Sequence, residues 1–395
     1  MKTIYKYILF IAIAAIAAMV NFSCDKSEDE TPYILYVRIP TPAQKDSLLI
    51  AATQGQLIAI MGGNLQNTRE VWFNDQKAIV NQGWITNKSV MVYVPSEVPD
   101  EVTNQLKLVF ANGNSLFHDF RVSISKPIVT NMYCEYVLEG DNAIINGNYF
   151  YPPVSVTFPG GIVVSSEGGA VSINEENTVL TVKVPEGATE AGQLIVSTNF
   201  GATESNFWFL DNRNIFQGFG FDENTSDPEK PYGELGTNDG AIVDSPGEGD
   251  PPLINGSYMR MIFNESTWWK QLFCNWNFGL GNIPNDAILN PKNYNYKFEV
   301  CTTNPYNGSG LKIWLTDMAT QNLDNFFFEW KPPFDSKGEW CTMVIPLDDI
   351  AASLGNFWPG VQSDGYFCGV VYAGSTRLDC DMSFDNFRIV PKSLK

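Results

Sequence analysis

The chain has 395 residues, with 44 acidic against 25 basic side chains and a formal charge of −19. That balance excludes the basic footprint a nucleic-acid binder offers to phosphate, and a single histidine, His118, leaves no second imidazole for a multi-histidine metal site. Charged residues are only 17%, aromatics reach 13%, and Gly and Pro number 32 and 23, the profile of a turn-rich β protein and not of a disordered chain.

Lys2 and Lys6 open the chain, and Ile8 to Val20 is an unbroken apolar run of 13 residues. Such a run is short for a bilayer-spanning helix and fits the core of a signal peptide. It ends at Asn21-Phe22-Ser23-Cys24. A small residue before a cysteine resembles the lipobox of bacterial lipoproteins, in which the cysteine becomes the acylated first residue. A plain secretory signal with an incidental cysteine is the other reading. Asp25-Lys26-Ser27-Glu28-Asp29-Glu30 follows, a solvated polar stretch that also resembles the signal sending Bacteroidetes lipoproteins to the outer face of the outer membrane. We therefore read 1–23 as signal peptide, Cys24 as the lipidation site and 24–38 as an acidic tether, with acyl chains as the anchor. Six further cysteines, Cys134, Cys274, Cys301, Cys341, Cys368 and Cys380, show no C-x-x-C spacing, which speaks against zinc. One or two disulfides and buried free thiols both remain open.

An internal repeat organises the middle. Ile60-Met61-Gly62-Gly63-Asn64-Leu65 matches Ile145-Asn146-Gly147-Asn148-Tyr149-Phe150 at an offset of 85, and Glu70-Val71-Trp72-Phe73 matches Ser155-Val156-Thr157-Phe158 at the same offset. Val90 to Pro95 matches Leu180 to Pro185 at an offset of 90. Each segment is short, alternating and closed by Gly, Asn or Pro, which reads as strand. The unit resembles the IPT/TIG immunoglobulin-like domain, whose opening I-x-G-x-x-F is met by residues 145–150 and, with Leu65 in the aromatic place, by 60–65. This places two sandwiches at 39–124 and 125–211. They are expected to serve as spacers, with Trp72, Trp84, Trp208 and His118 in cores or on strand faces. The alternative is that one copy carries a minor binding patch.

Residues 212–395 hold seven of the ten tryptophans. Strands are predicted at 258–263, 296–302, 311–316, 326–330, 341–346, 366–372 and 382–390, with a helical turn at 347–354. About eight strands suggest a jelly-roll sandwich. The fold class is therefore all-β: two immunoglobulin-like sandwiches in tandem and a larger jelly-roll-like sandwich. Alternation in 311–315 puts Trp314 with Lys312, opposite the aliphatic residues, and in 326–330 it gives Phe326, Phe328 and Trp330 a common face. The doublet Trp268-Trp269 cannot send both rings into one core from a strand, so at least one should meet solvent or a ligand unless the pair sits in a loop.

Exposed indoles mark binding surfaces, and a pyranose suits them. Its C–H face packs on a flat ring while its hydroxyls bond polar side chains, the amphipathic logic that enriches Trp and Tyr at interfaces. Asn255, Lys270, Gln271, Asn275 and Asn277 are candidates for the polar part. Trp340 leads into a strand and is expected in the core; Trp276 and Trp358 are divided between core and surface.

The lipobox, acidic tether, tandem IPT/TIG units and aromatic-rich terminal domain resemble surface glycan-binding protein B of Bacteroidetes polysaccharide utilisation loci. Gly338-Glu339-Trp340, Ile345-Pro346-Leu347 and Phe384-Asp385-Asn386-Phe387-Arg388-Ile389-Val390 are similar to that family's terminal domain. The resemblance implies a non-catalytic outer-membrane lipoprotein that faces the exterior and captures polysaccharide, often a β-glucan such as xyloglucan, mixed-linkage glucan or laminarin. A porin-type importer and surface glycoside hydrolases are its implied partners. It also implies a platform made of an aromatic doublet, here Trp268-Trp269, and an aromatic from an early loop, here Tyr232. Trp276, Trp330 and Trp314 complete the candidate glycan contacts. No cofactor is expected, although jelly-roll modules can hold a structural calcium, for which Asp222 and Asp385 lie near the first and last strands. Two rival readings are a jelly-roll glycoside hydrolase and a structural adhesin. The first needs paired carboxylates, and the Glu-x-Asp-x-x-Glu strand motif of jelly-roll glucanases is absent; Asp222, Glu223, Asp227, Asp317 and Glu329 are scattered.

Overall fold

The computed structural model describes residues 31–44, 46–219, 239–276, 279–306, 310–320, 326–331, 335–374 and 377–393. Cys24, the signal peptide, Tyr232, Asn277 and the acids Asp222, Glu223 and Asp227 lie outside the described residues. The chain forms two compact units, one ending at Ile124 and one beginning at Ser125. Among the described residues no helix is long and apolar enough to cross a membrane.

The first unit is a two-sheet sandwich. Tyr33–Arg38, Leu57–Gly63 and Ser89–Tyr93 make one sheet. Gln76–Lys77, Thr68–Phe73, Gln105–Phe110 and Ser115–Asp119 make the other. Period-2 alternation sends Ile58, Ile60, Val71, Phe73, Leu106 and Leu108 into the core between them. The assigned tether of 24–38 runs too far, because Tyr33–Arg38 pairs with Leu57–Gly63 and buries Val37 in the core.

The second unit begins with the other copy of the repeat. Its sheets are Ile128–Met132, Asn142–Asn148, Val179–Lys183 and Val171–Ile173 on one side, and Val163–Ser165, Val154–Thr157, Gly192–Thr198 and Gly201–Phe209 on the other. The matched motifs adopt the same local structure. Gly62 and Gly147 lie so close to the neighbouring strand that a Cβ would sit 1.9 Å from the carbonyl oxygen of Tyr33 or Ile128. Asn64 and Tyr149 then turn into the left-handed region at φ 60° and 61°. Leu65 and Phe150 drop into their cores, each with its N–H on a carbonyl of the opposite loop, Asn87 and Asn177.

The terminal sandwich packs a six-stranded sheet on a four-stranded one. In the larger, Ala241–Val243, Tyr258–Ser266, Arg377–Pro391, Tyr294–Asn304 and Cys341–Pro346 run in that order, and Ile215–Gln217 also pairs with the 15-residue strand Arg377–Pro391. The smaller has the order Trp269–Cys274, Phe367–Ala373, Leu311–Thr316, Phe328–Trp330. Phe298, Phe384 and Phe387 stack at the centre of the core, with Phe298 and Phe387 4.9 Å apart at 15°. The expected helical turn is the helix Leu347–Leu354, which buries Leu347, Ile350 and Leu354 at helical spacing. A second short helix, Asn285–Leu289, was not expected.

The second repeat and the terminal sandwich share a buried seam. Cys134, Tyr136, Ile254, Tyr258, Cys301 and Trp340 form a common apolar cluster. Thr342 donates its N–H to the carbonyl of Tyr133 and its Oγ1 accepts from Glu135 N at 2.7 Å. Beside it Glu135 pairs with Lys297 at 2.6 Å and with Arg388 at 2.7 Å, and Arg388 also holds Glu299 at 2.7 Å.

Candidate functional site

The aromatic residues gather on the outward face of the four-stranded sheet. Trp268 sits in the turn before the edge strand Trp269–Cys274, where Thr267 Oγ1 donates to the Trp269 carbonyl at 3.1 Å. The Trp268 backbone carbonyl accepts from Gly374 N, which fixes the turn to the next strand. Its side chain is 75% exposed. The Trp269 ring stands 5.8 Å from it at 48° and is half-buried. The doublet therefore has one ring in solvent and one resting on the sheet, although Trp268 lies in the turn, where strand alternation does not set its direction.

Trp314 supports Trp269 from below, with ring centres 6.5 Å apart at 34°. Alternation does place it on the face of Lys312, away from Leu311, Ile313 and Leu315. The expectation that it is open to ligand is nevertheless corrected, because it is 1% exposed. Trp269 covers it on one side and Phe327 on the other, at 6.0 Å, while Gly369 opposite leaves the ring room to lie down. Its Nε1 has no hydrogen-bond partner among the described residues. Trp330 is also removed from the ligand face, at 7% exposure. It pairs across the sheet with Leu311, so it shares the inward direction and packs edge-on against Phe298 at 4.8 Å.

Trp276 is half-buried on Phe367, ring centres 5.2 Å apart, and its Nε1 donates to Gln271 Oε1 at 3.1 Å. Gln271 N donates in turn to Asp239 Oδ2 at 2.7 Å. Lys270 pairs with Glu265 at 2.8 Å and lies 4.5 Å over Phe263. By register Lys270, opposite the core residue Tyr372, turns toward the inner side of the sheet, while Gln271, opposite Val371, stands among the aromatics. Asn275 does not, because it is buried and binds the backbone of Tyr366 and Cys368. Asn255 instead donates to Asn386 at 2.6 Å. Phe327 and Asp239 join the ledge unannounced. Only for Phe327 was there a signal, its place between Phe326 and Phe328 on the opposite phase of the alternation.

The other expected positions are simple. Trp340 is buried against Tyr258, and Trp358 is half-buried with its Nε1 on the Ile288 carbonyl. Trp72, Trp84, Trp208 and His118 are half-buried on strands or turns of the repeats. All six described cysteines are buried free thiols, so neither of the open disulfides forms among them. Burial also pushes the carboxyls of Glu299 and Asp385 above their ordinary range, but both lie inside the sandwich and away from the ledge. Among the described residues no three His, Cys, Asp or Glu side chains gather as a metal site.

Residues 209–391 match the family described as surface glycan-binding protein B xyloglucan binding domain. Along 99% of its length the chain is 23% identical to an IPT/TIG domain-containing protein of Bacteroides ovatus, all of which is covered. The crystal structure of a surface glycan-binding protein B from Prevotella bryantii superposes with a TM-score of 0.70 at 23% identity, over 92% of this chain and 99% of that one. A surface glycan-binding protein B from a complex xyloglucan utilization locus in Bacteroides uniformis gives 0.50 at 19% identity, over 91% and 99%. These likenesses support one all-β architecture along the chain.

Proposed function

For a chain that resembles surface glycan-binding protein B along its length, and whose residues 209–391 match that family's xyloglucan-binding domain, we propose non-catalytic capture of a β-glucan on the Trp268–Trp269 ledge. The observation that carries this reading is the exposed Trp268 ring beside a Trp269 ring that Trp314 holds from beneath. Rigid flat faces lose little freedom on binding a sugar, and each stacked ring contributes about 1 kcal/mol. Gln271, with Asp239 against it, supplies hydrogen-bonding groups beside the rings for hydroxyls.

The ligand class is xyloglucan, mixed-linkage glucan or laminarin. Acylation of Cys24 anchors the protein in the outer membrane facing the exterior, and the captured chain passes to surface hydrolases and a porin-type importer. Affinity electrophoresis in gels cast with each glucan tests the binding. Retardation by at least one β-glucan, without release of reducing sugar, is expected. Migration unchanged by every glucan overturns the reading, and sustained reducing-sugar release would make the protein a hydrolase.

A further inference from the structure

The first repeat carries a row of side chains its fold does not require. In its four-stranded sheet Lys77, Trp72, Lys107 and Phe117 are successive cross-strand partners. The flanking residues Val71, Phe73, Leu106 and Leu108 face the core, so the row faces outward. Phe117 is 55% exposed and Trp72 half-buried. Glu70 fixes the near end, accepting from Trp72 Nε1 at 2.8 Å and from Lys77 Nζ at 2.5 Å. Lys107 Nζ stands between the rings, 5.8 Å from Trp72 and 6.0 Å from Phe117.

The second repeat shows that the sheet is stable without this row. Thr157 takes the place of Trp72 by the offset of 85. The register then sets Ile195 and Glu204 where the first copy has Lys107 and Phe117. Two aromatic rings have thus been placed on one copy of a duplicated face, in the open, where packing does not call for them.

We propose that Trp72, Lys107 and Phe117 form a second glycan site, for a neutral β-linked polysaccharide. Rings on either side of one strand stand about 9–10 Å apart. In an extended β-linked chain every second pyranose offers the same face, so the pair meets alternate sugars and Lys107 meets a hydroxyl of the sugar between. Glu70, with exposed Gln105 and Asp119 at the rim, adds further hydrogen-bonding groups. Lys77 and Lys107 are matched by Glu70 and Asp119, which makes the patch locally neutral on a chain of charge −19 and suits an uncharged ligand. Only the choice of ligand class rests on the glycan reading of the terminal domain.

The test uses the full chain in gels containing xyloglucan, mixed-linkage glucan or laminarin. Trp268→Ala/Trp269→Ala removes the terminal ledge. Trp72→Thr/Lys107→Ile/Phe117→Glu gives the first repeat the residues its sister copy already tolerates, and circular dichroism checks that it folds. The ledge variant should keep a weak retardation that the combined variant loses, and the row variant alone should weaken binding at least threefold. Retardation of the wild type that the ledge variant abolishes completely overturns the second site and leaves the terminal one standing. A wild type that no glucan retards overturns both. Should the triple variant unfold, Phe117→Glu alone, at an exposed position, is expected to give the same loss of residual retardation.

Discussion

Arg388 and Glu135, 253 residues apart in the chain, meet at 2.7 Å with both side chains buried, across the seam between the second repeat and the terminal sandwich. Arg388 also holds Glu299 through two hydrogen bonds, and its guanidinium lies 5.4 Å from the Tyr136 ring. Lys297 completes the balance on Glu135. Removing one member leaves a buried charge without its counter-ion, which costs about 3–5 kcal/mol. Glu135→Ala should therefore lower the stability measured in urea strongly, whereas Glu186→Ala, at an exposed position of the same repeat, should leave it within about 0.5 kcal/mol. Equal midpoints for the two variants would show the seam contributes nothing.

Alkali should weaken the fold through its buried acids. Desolvation raises the thiols of Cys301 to about 11 and of Cys341 and Cys380 to about 12, from 9.0. It likewise raises the buried phenol of Tyr258 to about 12, from 10.0. The unfolded chain gives up these protons at lower pH than the folded one. The stabilisation is thus complete below pH 9, the unfolded thiol value, and is lost as pH rises through 11 and 12. Urea midpoints at pH 8 and pH 10.5 should fall in that order, and an unchanged midpoint would contradict the burial.

The ledge and its support should separate in experiment. Trp268→Ala removes an exposed ring, so stability should hold within about 0.5 kcal/mol while glucan retardation falls at least tenfold together with Trp269→Ala. Trp314→Ala excavates the layer beneath and should cost about 3–5 kcal/mol. Thermal unfolding and affinity gels on the same samples check both, and a Trp268→Ala variant that binds normally would dismiss the ledge.

The repeat makes a prediction at its two equivalent turns. A methyl at Gly62 or Gly147 would meet a backbone carbonyl that cannot move aside, so Gly62→Ala and Gly147→Ala should each cost about 3 kcal/mol. Tyr149 holds a left-handed conformation that its counterpart position fills with Asn64. Tyr149→Asn should stabilise by about 1 kcal/mol, the usual difference for that region, measured by chemical denaturation. Destabilisation would mean that the Tyr149 ring contact with Tyr151 outweighs the backbone.

Strand and helix positions in the terminal domain were legible wherever periodicity was uninterrupted. Leu311–Thr316, Cys341–Pro346 and Leu347–Leu354 are where the pattern put them. Alternation tells which face a residue takes, not what lies on top of it. Hence Trp314 was assigned the right face and the wrong exposure, since Trp269 and Phe327 cover it from other strands. Trp330 failed for a different reason: its direction depends on the register with Leu311, which no local pattern reveals. Asn285–Leu289 is too short for a period and has no side-chain cap. The seam was invisible because Glu135 finds Lys297 and Arg388 across 162 and 253 residues.

On the proposed ledge, drag on a bound polysaccharide would enter the protein at Trp268 and Trp269. From there the edge strand leads to Phe273, whose ring meets Phe387 at 5.0 Å, and the next residue is Arg388. Mechanical load is thereby delivered to the ion pairs with Glu135 and on into the second repeat. The ledge cannot swivel on its neighbour without tearing apart charges that water does not reach, so its aim is steered by the repeat to which it is bolted.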